Sequence, residues 1–135
     1  MENMPTGKSA LGLDANIVAG LCYVANLVCY LGLVLSIVTV ATDKTNKLAR
    51  FHAFQSIFVS ILGILLGCAY FVAGIIGAIV DKVIGFPAFS LLLVLVIVLI
   101  GLALLIGVII AAIKAFQGQI YKLPVVGKFA DQYSG

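Results

Sequence analysis

Arg50-Phe51-His52-Ala53-Phe54-Gln55-Ser56 opens a stretch that runs from Phe51 to Val80 without a formal charge. Its polar residues His52, Gln55, Ser56 and Ser60 all lie in the first third. A helix crosses the hydrocarbon of a bilayer in about 20 apolar residues. Ile57 to Val80 is therefore long enough to cross, and His52, Gln55 and Ser56 fall at headgroup depth.

Two more uncharged runs flank this one. Ala15 to Thr42 follows Asp14, an expected N-cap. Ala88 to Ile113 contains the aliphatic block Leu91 to Ile100 and is closed by Lys114. The connections have turn chemistry. Asp43 to Arg50 is polar, with Thr45 or Asn46 placed to cap the next helix. Asp81-Lys82-Val83-Ile84-Gly85-Phe86-Pro87 suits a tight turn between antiparallel helices. Gly118 suits the left-handed residue just past a helix end, with Pro124 beyond it. The expected fold is all-α: one integral membrane domain over 1–135, with a mobile tail at 1–14 and three transmembrane helices at 15–42, 46–80 and 88–117. The second and third helices form a hairpin. Residues 119–135 make an interfacial tail, part extended and part short helix.

Composition demands lipid. Of 135 residues, 64% are hydrophobic and 10% charged, against about 45–50% and about 25% in soluble domains. A globule of this size buries only about two-thirds of its unfolded surface, which would leave much of the apolar excess in water. The net charge of +3 is too weak and scattered for a nucleic-acid footprint, so no nucleic-acid partner is expected. The cations serve topology instead. With three spans, Lys44, Lys47, Arg50, Lys114, Lys122 and Lys128 share one side, and Lys8 and Lys82 the other. That bias predicts a multi-pass protein of the cytoplasmic (inner) membrane, N-terminus out and C-terminus in. Phe51, Phe54, Phe116 and Tyr121 would form an aromatic belt on the inner face. The N-terminus lacks the basic, apolar and small-residue succession of a cleaved signal. Cys22, Cys29 and Cys68 sit in apolar runs with no C-x-x-C pair, and His52 is the lone histidine, so neither a metal, a cofactor nor a disulfide framework is expected.

Burial alone does not join helices in lipid; close backbone approach and hydrogen bonds do. Gly63 and Gly67, and the four-residue series Ala103, Gly107, Ala111 and Ala115, are the expected packing positions, within the hairpin or between two copies. Asn26 falls near mid-membrane, where an unpaired amide is costly. A bond from Asn26 to a neighbouring helix is worth about 0.6–2 kcal/mol; the alternative is a polar pore lining.

His52, Ser56 and Ser60 lie four apart and share a helix face, with Gln55 beside them. One reading is a polar patch that hydrogen-bonds the C-terminal tail and lipid headgroups. The other is a docking or conducting site tuned by the imidazole. Catalysis is not expected: the chain has no Ser/His/Asp arrangement, paired intramembrane carboxylates, H-E-x-x-H or phosphate loop.

Three pieces in order carry a resemblance. They are Gly12-Leu13-Asp14 with Ala19-Gly20-Leu21-Cys22-Tyr23; Arg50 to Ser56; and Ala115-Phe116-Gln117-Gly118-Gln119-Ile120-Tyr121-Lys122-Leu123-Pro124-Val125-Val126-Gly127. Over nearly its whole length the chain resembles a family of small uncharacterised prokaryotic membrane proteins. That family is distantly similar to the Tic-twenty subunit of the chloroplast inner-envelope import machinery. The resemblance implies a non-enzymatic membrane subunit, translocon-like or for assembly, that binds lipids, other membrane proteins or itself. A small oligomeric pore is the alternative. Arg50, His52, Gln55, Ser56, Gly118, Tyr121, Pro124 and Gly127 form the candidate motif. Its two halves lie at the same ends of the second and third helices, so His52 and Gln55 are expected to hydrogen-bond the turn around Gly118 to Pro124.

Overall fold

The computed structural model describes residues 7–28 and 30–135. Five α-helices follow in order: α1 (Ala15–Val24), α2 (Leu31–Thr42), α3 (Lys47–Ile84), α4 (Ala88–Phe116) and α5 (Val126–Ser134), with one 3₁₀ turn at Ala25–Leu27. The chain divides into two units, Met1–Ile61 with Gly107–Gly135, and Leu62–Ile106.

The single helix expected over 15–42 is two helices. After α1 the backbone tightens into the 3₁₀ turn, and Tyr30 turns it with φ 59°, in the left-handed region. The chain then doubles back. Gly32 lies so close to the Cys22 carbonyl and to Asn26 that a Cβ there would overlap both. At the other end, the Ala10 N–H donates to Asp43 Oδ2 at 3.1 Å, which ties the entry of the pair to its exit. With 10 and 12 residues, neither helix reaches the about 20 needed to cross. Two helices, α3 and α4, are long and apolar enough, where three were expected.

Residues 8–14, expected as part of a mobile tail, form a turn in which Lys8 and Asp14 make a bridge and the Ser9 N–H donates to the Leu13 carbonyl; residues 1–6 lie outside the described ones. Asp14 precedes α1, but its side chain makes no capping bond. Asn46 does cap α3, its Oδ1 accepting from the Ala49 N–H at 3.2 Å. α4 ends in a full Schellman motif: Gly118 has φ 72°, its N–H donates to Ala115 O, and the Gln119 N–H donates to Lys114 O.

Apolar packing in the first unit has two centres. Ala15, Leu48, Ala49, Phe51, Ile120 and Ala130 form one, so Phe51 is core and not part of a surface belt. Ala19, Tyr23, Ala111, Ala112, Ala115 and Leu123 form the other. In the second unit, Gly85 (φ 77°) turns the chain after α3. The Asp81 carboxylate accepts from the Phe89 and Ser90 N–H groups at 3.0 and 3.2 Å, which caps α4 and opposes its dipole. Gly77 allows α3 to approach Phe89. Apart from the exposed Lys82 and Tyr70, the remaining surface of this unit is largely apolar, with Phe71 70% exposed.

Candidate functional site

Tyr23 from α1, and His52 and Gln55 from α3, are fully buried and meet the strand-like segment that follows α4. The Schellman turn at Gly118 releases the chain into extended backbone over 119–123. Successive groups there face opposite ways, so the carbonyls of Gln119 and Tyr121 and the N–H of Leu123 all reach α3. His52 Nε2 lies 3.0 Å from Gln119 O, and Gln55 Nε2 3.1 Å from Tyr121 O. The Leu123 N–H donates to Gln55 Oε1 at 3.3 Å.

These contacts assign every proton. A carbonyl only accepts, so Nε2 of His52 carries the hydrogen, and Nδ1 accepts from the Tyr23 hydroxyl at 3.0 Å. The Tyr23 oxygen in turn accepts from Gln55 Nε2 at 3.0 Å, and the second hydrogen of that amide goes to Tyr121. The imidazole is therefore neutral in this arrangement, held edge-on between the Tyr23 and Phe51 rings at centroid distances of 5.7 and 5.2 Å. One closed circuit of hydrogen bonds joins α1, α3 and the tail.

A second polar layer follows along α3. Asn26 Nδ2 donates to the hydroxyls of Ser56 and Ser60, both at 2.9 Å. Ser56 donates onward to the Cys22 carbonyl, and Ser60 to the Ser56 carbonyl, each at 2.8 Å. The amide thus bonds α3, and its hydrogens are spent within the chain. Asn26 Oδ1 is buried without a hydrogen-bond partner among the described residues. Ser36 and Thr39 donate to carbonyls of their own helix.

Arg50 stands apart from this circuit. Its Nη1 donates to the Asp43 carbonyl at 3.0 Å and to Val40 at 3.5 Å, and its Nε donates to Ser134 O at 3.3 Å. One guanidinium therefore satisfies carbonyls at the C-terminal ends of α2 and α5, where a cation also suits the helix dipole. It lies 5.7 Å above the Phe54 ring. Asp43, itself buried, accepts from Ala10 and Asn46. Burial alone would raise its carboxyl pKa, but bonds from Ser9, Asn46, Ala10 and Thr45 outweigh it and leave the pKa below the ordinary value.

The tail closes through two backbone devices. Val125 has φ 66° and ψ −61°, with the Val126 N–H donating to Pro124 O, a γ-turn. Gly127 lies against the Lys122 backbone, and a Cβ there would meet Lys122 Cα at 2.7 Å. α5 then lays Phe129 and Tyr133 against Phe54 and Phe58. Lys122 and Asp131 pair at 2.7 Å on the surface, a contact of small energetic weight.

Of the candidate residues, His52, Gln55, Gly118 and Tyr121 come together; Tyr121 takes part through its carbonyl. Ser56 belongs to the Asn26 layer, Pro124 and Gly127 shape the tail, and Arg50 binds helix ends. Among the packing positions, Ala111 is buried against α1 and Gly107 faces Leu123, so this part of the ridge serves α1 and the tail. Ala103 is exposed and Gly63 half-buried. A Cβ at Gly67 would meet nothing within 4 Å. Cys22 is buried and Cys68 exposed, both free; Cys29 lies outside the described residues. Sequence reasoning left out Tyr23, Asp43 and Gln119 as site residues. Tyr23 carried a signal, because Asn16, Tyr23 and Asn26 recur on one helix face and a phenol in an apolar run requires a partner.

Comparison with known proteins agrees with the apolar helices. Two UPF0132 membrane proteins of Methanocaldococcus jannaschii are similar to the chain. MJ1443 is 34% identical over 95% of this chain and 96% of its own length. MJ1527 is 34% identical over 92% of this chain and 73% of its own length. No solved structure matches. The chain is thus a membrane protein of a small prokaryotic family, and its residues 14–130 match one family description. It belongs to the magnetosome magnetite crystal formation protein family.

Proposed function

We propose that the chain is a non-enzymatic assembly subunit of the cytoplasmic membrane. On this reading it binds other membrane proteins through the apolar surface of Leu62–Ile106. The observation that carries the reading is the occupation of the His52–Gln55 centre by the protein's own backbone at Gln119, Tyr121 and Leu123. A histidine and an amide engaged in this way act as a lock. The lock builds a rigid platform, and the surface left for a partner is the bare one around Phe71 and Leu99. Lys8, Lys44, Lys47, Arg50, Lys114, Lys122 and Lys128 all belong to the platform unit, and Lys82 to the other, which favours the platform on the cytoplasmic side.

Membership in a family described by magnetite crystal formation fits a subunit that organises proteins on a mineral-bearing membrane. Asp43 and Asp81 receive backbone N–H groups, and Asp131 pairs with Lys122, so these carboxylates are spent on structure. A translocon-like subunit is one form of the same role, although the comparisons show the family and no link to Tic-twenty. A photo-crosslinking residue at Phe71 or Leu99 in native membranes tests it. A discrete protein adduct is expected. Adducts with lipid alone, together with ion flux in proteoliposomes of the purified chain, would reverse the reading in favour of a pore.

A further inference from the structure

We infer that the α1–α2 hairpin is inserted into a single leaflet, its flanks against acyl chains and its mouth among anionic headgroups. This goes beyond the assembly reading and does not rest on it. Length is the first observation. Helices of 10 and 12 residues extend about 15 and 18 Å, half of a hydrocarbon core of about 30 Å. The second is the tie between its ends. Ala10 and Asp43 are hydrogen-bonded, and Arg50 holds the Asp43 carbonyl, so the chain enters and leaves on one side. Polarity is the third. Tyr23, Asn26, Ser36 and Thr39 direct their hydrogen bonds inward or onto their own helix. The outer surface is mainly aliphatic, with Ile17, Val24, Val28, Leu31, Val34, Ile37 and Val38 exposed, joined by the Tyr30 ring at the tip and Thr42 at the mouth.

An apolar surface of that extent requires a cover. The occupant follows from what frames it: no residue from Ala15 to Thr42 is charged, whereas Lys8, Lys44 and Lys47 stand exposed at the mouth. Aliphatic flanks ending in cations match acyl chains ending in phosphate. It follows that the N-terminus shares the platform side with the C-terminus, in place of the opposite sides expected from three spans.

The chain contains no tryptophan, so Val28→Trp introduces a single emitter at the tip, with Leu31→Trp as a second should the first fail to fold. The full-length variant is reconstituted in vesicles of phosphatidylcholine and phosphatidylglycerol. Brominated acyl chains are expected to quench the emission, and aqueous iodide to leave it unchanged. In a cysteine-free background, Lys8→Cys and Lys44→Cys are expected to react with a membrane-impermeant maleimide from the same face. Quenching by iodide would overturn the inference. So would quenching by neither agent, which would mean a protein cover, or labelling of Lys8→Cys and Lys44→Cys from opposite faces.

Discussion

Replacing Gln55 by leucine removes one side chain and strands several partners. Leucine is one atom shorter but comparable in volume, so the effect reports chiefly the lost polar contacts. Tyr121 O loses its donor and Leu123 N–H its acceptor, while the Tyr23 hydroxyl keeps its bond to His52. The buried Leu123 N–H and the part-buried Tyr121 carbonyl are then left without partners at about 1–3 kcal/mol each, or about 2–6 kcal/mol together. Both lie on the tail, so the loss acts on the opening of residues 119–135 from α3. Trypsin cuts after Lys122 and Lys128, and cleavage of a transiently opened segment follows the population of the open form. At tenfold per about 1.4 kcal/mol, the lower bound predicts cleavage roughly 30-fold faster than in wild type. The assay uses the full chain in detergent, with Gln132→Leu on the exposed face of α5 as control. Equal cleavage of Gln55→Leu and the control would refute the lock.

Four further outcomes follow from the same geometry. Gly32→Ala drives a methyl into the Cys22 carbonyl and Asn26; overpacking against backbone costs about 1–3 kcal/mol, read as a lower thermal midpoint. Gly127→Ala meets the Lys122 backbone and should release α5, whereas Val125→Gly relieves a positive φ on a β-branched residue. Strain of this kind is worth about 1–3 kcal/mol, so the glycine variant should resist trypsin better than wild type. Asp43, with its folded pKa lowered, contributes stability above the ordinary carboxylate value of 3.8 and loses it as pH falls through the depressed value. The difference in thermal midpoint between wild type and Asp43→Asn should accordingly shrink below that pH; a constant difference would assign the effect to packing.

The long helices were legible because α3 and α4 are uncharged runs closed by turn residues, and composition alone requires lipid around them. The juxtaposition of His52 and Gln55 with the tail was legible for a different reason. A lone histidine beside an amide at the start of one helix, and a glycine stop at the end of the next, have few other ways to satisfy buried polar groups. The break at Val28 to Tyr30 was not legible. No proline or charge marks it, and Val28, Cys29 and Tyr30 continue the apolar run on either side. What turns the chain there lies far away in sequence: the two serines of α3 that receive Asn26, and the contact of Gly32 with Cys22 that a Cβ would forbid.

The same distinction explains why counting cations assumed one continuous helix over 15–42, where the structure has two short ones. The rule converts charge into sidedness only after the spans are known, and an apolar run of sufficient length was treated as a span. A re-entrant pair satisfies the same composition with half the depth, because each of its helices turns polar groups toward a neighbour and leaves aliphatic groups outside. Length and hydropathy therefore cannot separate one crossing helix from two that return. Asn26 and Gly32 can, since an amide at the middle of an uncharged run, six residues before a glycine, joins α3 and admits the returning helix at the same place.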